Sequence, residues 1–406
     1  MRHGPATRQH ALQLMERFRP RMGRRYANER NHDQGPGRHT CVSGLSPFVR
    51  RRLVTEAELV ATAVATHGLA ACEKFVQEVC WRSYFKGWLE QRPAVWAAFS
   101  DGLCADLATL DEDSRLRRAV DAAERGATGI DCFDAWVTEL RDTGYLHNHA
   151  RMWFASIWIF TLKLPWRVGA DFFLRHLLDG DPASNTLGWR WVAGLHTRGK
   201  PYVAQAWNIA KFTGGRHQPQ ATDFAADPVA LAAQEEPAGL PACVPLRAVR
   251  PPAPGLPTAL LLTEEDCLPE DFDLATLAPC AVATLRASAL RSPRAVADAV
   301  SDFETRALAD AVGRLGVEAT QLSATDPAGL AAWATRAGAT QIATPYVPVG
   351  PLHDWLRAAS LPLHAAGITL CEWRRDWDAA LWPHATAGFS RIKAQIPAIL
   401  ERMGLA

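Results

Sequence analysis

Residues 145–191 read YLHNHARMWFASIWIFTLKLPWRVGADFFLRHLLDGDPASNTLGWRW. Apolar positions recur here at helical spacing, yet the stretch also holds His147, Asn148, Arg151, Asp179, Asp181 and Asn185 beside a ladder of tryptophans. A buried polar group left without a partner costs roughly 1–3 kcal/mol. So many of them on apolar helices imply that something polar and flat sits among them. Asn148, Arg151 and Met152 share one helix face at i, i+3 and i+4. An Arg151–Asp179 pair would hold two helices in register around that ligand.

Upstream, QEVCWRSYF places Glu78, Trp81, Arg82 and Phe85 on one helix face by the same rule. A carboxylate, an indole and a guanidinium in a row suit a ligand with an aromatic and an anionic part, and equally an amphipathic helix with an internal ion pair. Residues 1–220 read as helical throughout, with Gly, Pro and Asp breaks and no period-two run. Residues 221–257 turn Ala- and Pro-rich and lose all periodicity, as a linker does. From 258 the short apolar runs TALLLT, CAVATL, VEATQL, ATQIAT and GITLCEW alternate with helical stretches, which predicts a parallel sheet covered by helices. No GxGxxG or Walker loop occurs in it. The expected architecture is an all-helical domain (1–220), a linker (221–257) and a smaller Rossmann-like α/β domain (258–406).

With 406 residues, 48% of them hydrophobic, the chain can bury a sizeable core. It has no run of eighteen apolar residues and no secretory h-region at its start, so a cytoplasmic address and no membrane partner are expected. Nine cysteines form no CxxC pair and no zinc spacing, which favours reduced thiols and no metal. Net charge is only +1, but residues 1–60 carry twelve Arg and no Lys against five acids. Such a face suits phosphates or plain solvent. Fifteen tryptophans exceed what packing alone requires and point to stacking surfaces.

The motifs VSGLSP, WRSYF, TGYLHNHARM, LPW and DGDPASNTLGWRW, in this order over residues 20–216, resemble the flavin domain of the DNA photolyase and cryptochrome family. The resemblance implies FAD as cofactor. By position it places Tyr26, Ser43, Gly44, Leu45, Ser46 and Arg82 at the FAD diphosphate. Asn148, Arg151, Asp179, Asp181 and Asn185 fall around the isoalloxazine ring, with Asn185 facing N5. Glu78, Trp81, Asn148, Met152 and Trp191 line a pocket for a lesion flipped out of damaged DNA. Trp189 and Trp166 match the first two members of a tryptophan chain that feeds electrons to the flavin. The implied activity is that of a deoxyribodipyrimidine photo-lyase, a C–C lyase that uses blue light to split cyclobutane pyrimidine dimers by electron transfer from excited reduced FAD. Asn148, where relatives acting on (6-4) photoproducts carry histidine, favours the cyclobutane lesion. The alternative is a cryptochrome-like blue-light receptor without repair activity.

The chain departs from the family pattern in three ways. Val42 replaces a loop threonine, with Thr40 as a substitute hydroxyl. Residues 101–133 lack the outer tryptophan of the chain, leaving Trp153, Trp158, Trp136 or Tyr145 to relay. The α/β segment follows the flavin segment instead of preceding it, as a circular permutation would produce. An antenna chromophore in that segment is possible but has no residues assigned to it.

Overall fold

The computed structural model describes residues 4–405. Every regular element from Arg8 to Phe212 is helical. Boundaries follow local chemistry. Thr55 opens the Glu56–His67 helix with a reciprocal cap: its Oγ1 accepts from the Glu58 N–H at 3.2 Å, and Glu58 Oε2 accepts from the Thr55 N–H at 2.8 Å. Gly68, at φ +71°, ends that helix, and the Leu69–Glu90 helix begins at once. Residues 56–90 are therefore two helices, broken at Gly68. His147 caps the Asn148–Ser156 helix, which passes into a π turn at Ile157–Thr161.

All five apolar runs predicted as strands are strands: β1 (Thr258–Thr263), β2 (Ala281–Arg286), β3 (Thr320–Ser323), β4 (Gln341–Pro345) and β5 (Thr369–Trp373). They form one parallel sheet in the order β3-β2-β1-β4-β5. β1 is buried along its whole length, as its unbroken apolar run requires, while the edge strand β3 is largely exposed. The two faces of β1 enter different cores. Ala259 and Leu261 pack with Trp333, Ile342 and Trp355, whereas Leu260 and Leu262 join Phe303, Trp377, Trp382 and the apolar interior of the helical half.

A seam of buried charge joins the halves. Arg50, Arg51 and Arg52 face Glu264, Glu265 and Asp266, the acidic triplet just past β1. Arg50 grips Glu265 bidentately at 2.9 and 2.7 Å and donates to the Gly180 carbonyl at 3.0 Å. Arg51 lies 3.1 Å from Glu264, which Arg291 holds at 2.7 Å. Arg52, at φ +51°, reaches Asp378 at 2.6 Å and Asp266 at 3.4 Å. Three of the twelve arginines of the basic N-terminal stretch are thus buried in the fold and face no phosphate. Glu90 adds a second tie, accepting from Tyr346 Oη at 2.5 Å and from the Val349 N–H at 2.6 Å.

The Ala/Pro-rich stretch is bonded to both halves. The Val244 N–H donates to the Gln91 carbonyl at 2.8 Å and the Ala253 N–H to Gln341 Oε1 at 3.0 Å. Among the described residues no helix is long and apolar enough to cross a membrane, and all nine cysteines are free thiols.

Candidate functional site

Two helices and two loops meet where the opening stretch predicts. Arg151, on the Asn148–Ser156 helix, donates Nη2–H to Asp179 Oδ2 at 2.8 Å and Nε–H to the Leu146 carbonyl at 3.0 Å. Asp181 caps the Pro182–Val192 helix by accepting from the Ser184 N–H at 2.8 Å. The same carboxylate lies 3.3 Å from Lys86, 3.6 Å from Arg50 and 3.9 Å from Arg82. Arg82 also donates to the Ser46 carbonyl at 3.4 Å. Ser46, Arg82, Arg151, Asp179 and Asp181 are therefore neighbours. Burial pushes the Asp181 carboxyl upward, but Lys86, Arg50 and Arg82 together pull it well below the usual carboxylate range. Asp179 is displaced the same way, burial opposing and Arg151 prevailing.

Asn185 lies one turn past Asp181 and gives its Nδ2–H to the Ala170 carbonyl at 2.8 Å. That bond turns its carbonyl oxygen away from Ala170. Gly44, at φ +67°, bends the loop that carries Ser43 and Leu45, and Ser43 Oγ accepts from the Leu45 N–H at 3.3 Å. Just upstream of the loop, His39 Nε2 and Glu139 Oε1 are 2.9 Å apart and Asp33 pairs with Arg216 at 2.7 Å. Asp33, His39 and Glu139 are the one group of possible metal ligands among the described residues; Asp33 pairs with Arg216, and His39 and Glu139 meet each other. Tyr26 packs edge-on to Phe75 at 5.1 Å. Its phenol is raised by burial and then by Glu78.

The residues expected at the substrate pocket are less free than the sequence implied. Glu78 Oε1 already binds Lys74 at 3.0 Å and Arg30 at 3.2 Å. Trp81 stacks on Phe389 with ring centres 4.0 Å apart and planes 11° apart, so one indole face is covered. Trp191 stacks on Tyr202 at 5.2 Å. Met152 is half-buried and Asn148 is exposed. Trp189 is buried against Phe173 at 5.2 Å and Trp158 at 6.3 Å, while Trp166 meets Phe99 at 5.7 Å. Gly169, one turn past Trp166, touches Trp189 so closely that a Cβ there would stand 2.4 Å from the indole. A cleft of about 800 Å³ borders Trp166, Arg167 and residues 222–229, away from the Asp179–Asp181 cluster.

Lys86, Arg50 and Phe389 escaped the sequence reading. Lys86 had a signal, because residues 78, 82 and 86 repeat at i+4 along one helix. Phe389 had none, since no local pattern ties it to Trp81.

A family model described as the FAD-binding domain of DNA photolyase matches residues 75–224. The deoxyribodipyrimidine photo-lyase of Streptomyces griseus is 38% identical over 177 residues, 43% of this chain and 36% of that protein. A counterpart from Thermus thermophilus is 33% identical over 202 residues, 48% of this chain and 44% of that protein. The chain spans less than half the length of these curated relatives. A crystal structure of a bacterial class III photolyase from Agrobacterium tumefaciens is 26% identical, with a TM-score of 0.42, covering 51% of this chain and 43% of that one. The cluster suits an FAD. Asp179 Oδ1, Asp181 Oδ2 and Arg82 Nη1 are buried atoms without a hydrogen bond to the protein, although Asp181 Oδ2 keeps its ion-pair contacts to Lys86, Arg50 and Arg82 at 3.3, 3.6 and 3.9 Å. Two acceptors and a cationic donor are what an imide N–H edge and a diphosphate consume.

Proposed function

We propose that this chain, whose residues 75–224 belong to the FAD-binding domain family of DNA photolyases, is a light-dependent DNA repair flavoprotein that splits cyclobutane pyrimidine dimers. The observation that carries the reading is the cluster of buried Asp179 and Asp181 with half-buried Arg82 and Arg151, in which Asp179 Oδ1, Asp181 Oδ2 and Arg82 Nη1 lack a hydrogen bond within the protein and suit a flat ligand with an N–H edge and a phosphate arm. Residues 43–46 and Arg82 would hold the diphosphate. Asp179 and Asp181, kept ionised by their cationic neighbours, would accept from the ring's N–H groups. Asn185, its amide oriented by Ala170, would present a carbonyl oxygen to a reduced ring. When bound, reduced FAD supplies on excitation the electron that opens the dimer's cyclobutane ring and recovers it afterwards. Trp189, with Trp166 on the adjoining helix, would relay electrons inward.

On the substrate side, the half-buried Trp81, Trp191 and Met152 offer apolar contact, and Asn148 offers an amide to a base edge. The reversed order of the two halves supports a circularly permuted relationship to the relatives. The cryptochrome-like alternative draws on Glu78, held by Arg30 and Lys74, and on Phe389 covering Trp81. One assay separates them: dimer-containing oligothymidylate is illuminated with blue light and reductant, and the remaining dimers are counted by chromatography. Repair that disappears in Asn185→Ala supports the proposal. Flavin photoreduction with unchanged dimer content refutes it and favours a receptor.

A further inference from the structure

The cleft of about 800 Å³ beside Trp166 has no part in the binding of flavin or lesion described above. One wall follows the Asn148–Ser156 helix, where the backbone widens into the π turn Ile157–Thr161 and Lys163 sits at φ +53°, a left-handed conformation uncommon for a residue with a side chain. The other wall is the start of the Ala/Pro-rich stretch. A hydrogen bond joins the two: the Ala225 N–H donates to Thr161 Oγ1 at 3.2 Å. Phe160, Trp166 and Phe224 give the cleft aromatic surface. Its charge is lopsided, with four carboxylates (Asp106, Asp223, Asp227 and Glu235) against two cations (Lys163 and Arg167). A lining of this kind repels anions and admits neutral aromatic molecules.

Its position gives it a task. Among the described residues the ring packed on Trp166 is that of Phe99, at 5.7 Å, and a plain benzene ring yields an electron far less readily than an indole. Residues 101–133 bring Asp106 and Leu116 to the cleft and no tryptophan. Arg167 lies over the Trp166 ring at 5.0 Å, but Asp106, 3.6 Å from it, and Glu235 outweigh its charge, which favours loss of an electron from the indole. Trp166 Nε1 and Asp106 Oδ2 make no hydrogen bond within the protein. A phenolic hydroxyl, which accepts and donates at once, suits both. We infer that this cleft binds a neutral dihydroxybenzene of the hydroquinone class, which returns an electron to Trp166 where a further tryptophan is missing. Trp166, one electron short after supplying Trp189, takes one electron from the bound ring. The O–H bond of one hydroxyl breaks and its proton passes to the Asp106 carboxylate, whose carboxyl burial holds above its ordinary value against the pull of Arg167. The donor leaves as a neutral aryloxyl radical, and two such radicals disproportionate in solution to one benzoquinone and one hydroquinone. The inference rests on the electron relay of the repair reading above.

The test has a dark arm and a light arm. Fluorohydroquinone is titrated in the dark by fluorine NMR into the full chain with and without FAD, and flavin photoreduction rates are then measured against hydroquinone and against ascorbate, which is an anion where a phenol keeps its proton to about pH 10. Saturable dark binding is expected in both forms, with a photoreduction rate that levels off in hydroquinone and rises linearly in ascorbate. Phe224→Ala should raise the binding and rate midpoints roughly tenfold and leave the plateau rate unchanged. Asp106→Asn should bind within about twofold of wild type and lower the plateau roughly tenfold. Absence of dark binding, or a rate linear in hydroquinone, overturns the site. An unchanged plateau in Asp106→Asn overturns the proton transfer. A flavin that no reductant helps to photoreduce overturns the relay reading instead, and the dark titration still decides whether the cleft is a site. Wild-type melting temperatures in both variants exclude misfolding as the cause of a loss.

Discussion

Replacing Arg50 by methionine should destabilise the protein by about 3 kcal/mol, the lower end of the range for breaking a buried ion pair from one side. The lower end follows from the neighbourhood. Arg50 serves Glu265 bidentately, the Gly180 carbonyl, and Asp181 and Glu264 at 3.6 Å each. Without it, Glu265 and Asp181 keep Lys86, 3.3 Å from both, and Glu264 keeps Arg51 and Arg291. No carboxylate is wholly orphaned, but Glu265 exchanges two short charge-assisted bonds for one longer contact. Adding Glu265→Gln to the variant should recover part of the loss, because the uncompensated charge is then gone. A coupling of about 1.5 kcal/mol or more is expected in the double-mutant cycle. The measurement is urea unfolding of the four proteins by tryptophan fluorescence. Strict additivity, or a single-variant loss below about 1 kcal/mol, would refute the view that this seam is desolvated and clamps the two halves together.

Gly169→Ala places a methyl 2.4 Å from the Trp189 ring and 2.8 Å from Trp158; a loss of about 1–3 kcal/mol by overpacking and altered tryptophan emission should accompany it. The Glu264 carboxyl is raised by burial but brought down to about 2 by Arg291, Arg50 and Arg51. Its folded value lies below its unfolded value, so its contribution is complete above about pH 4.5 and fades as pH falls toward 2; acid titration of stability should be shallower across that window in Glu264→Gln than in wild type. Asp181→Asn keeps a capping side chain but removes a charge from Lys86, Arg50 and Arg82 and an acceptor from the site; it should stay folded by circular dichroism and lose flavin on gel filtration after reconstitution.

The fold was legible because its two halves use different periods. Long 3.6-residue runs broken at Gly and Pro can only be helices, and β1 is an apolar stretch too short and too continuous for anything but a buried strand. The Arg151–Asp179 contact was legible for a similar reason: a charge on an apolar helix needs a partner, and the next turn-forming segment supplied one. Lys86 on Asp181 and Phe389 on Trp81 were not, because both depend on where distant elements land. The role of residues 50–52 was misread for the same reason. Three consecutive arginines look like a solvent face until residues 264–266 are brought against them.

That pairing also explains how the α/β half is used. In an open parallel sheet the crevice at the carboxyl ends of the strands, where strand order reverses, is where ligands bind. Here the order reverses between β1 and β4. The residues that follow those strands point into the helical half: Glu264 and Glu265 after β1 meet Arg51 and Arg50, and Tyr346 after β4 meets Glu90. Arg291 after β2 joins Glu264, and Arg375 after β5 holds Asp266 at 2.6 Å. The edge that would host a ligand is occupied by the protein's own charges, and through Arg50 it reaches Asp181. The sheet therefore acts on this cluster as a brace: its acids hold Arg50, which with Lys86 and Arg82 draws the Asp181 carboxyl down against the pull of burial.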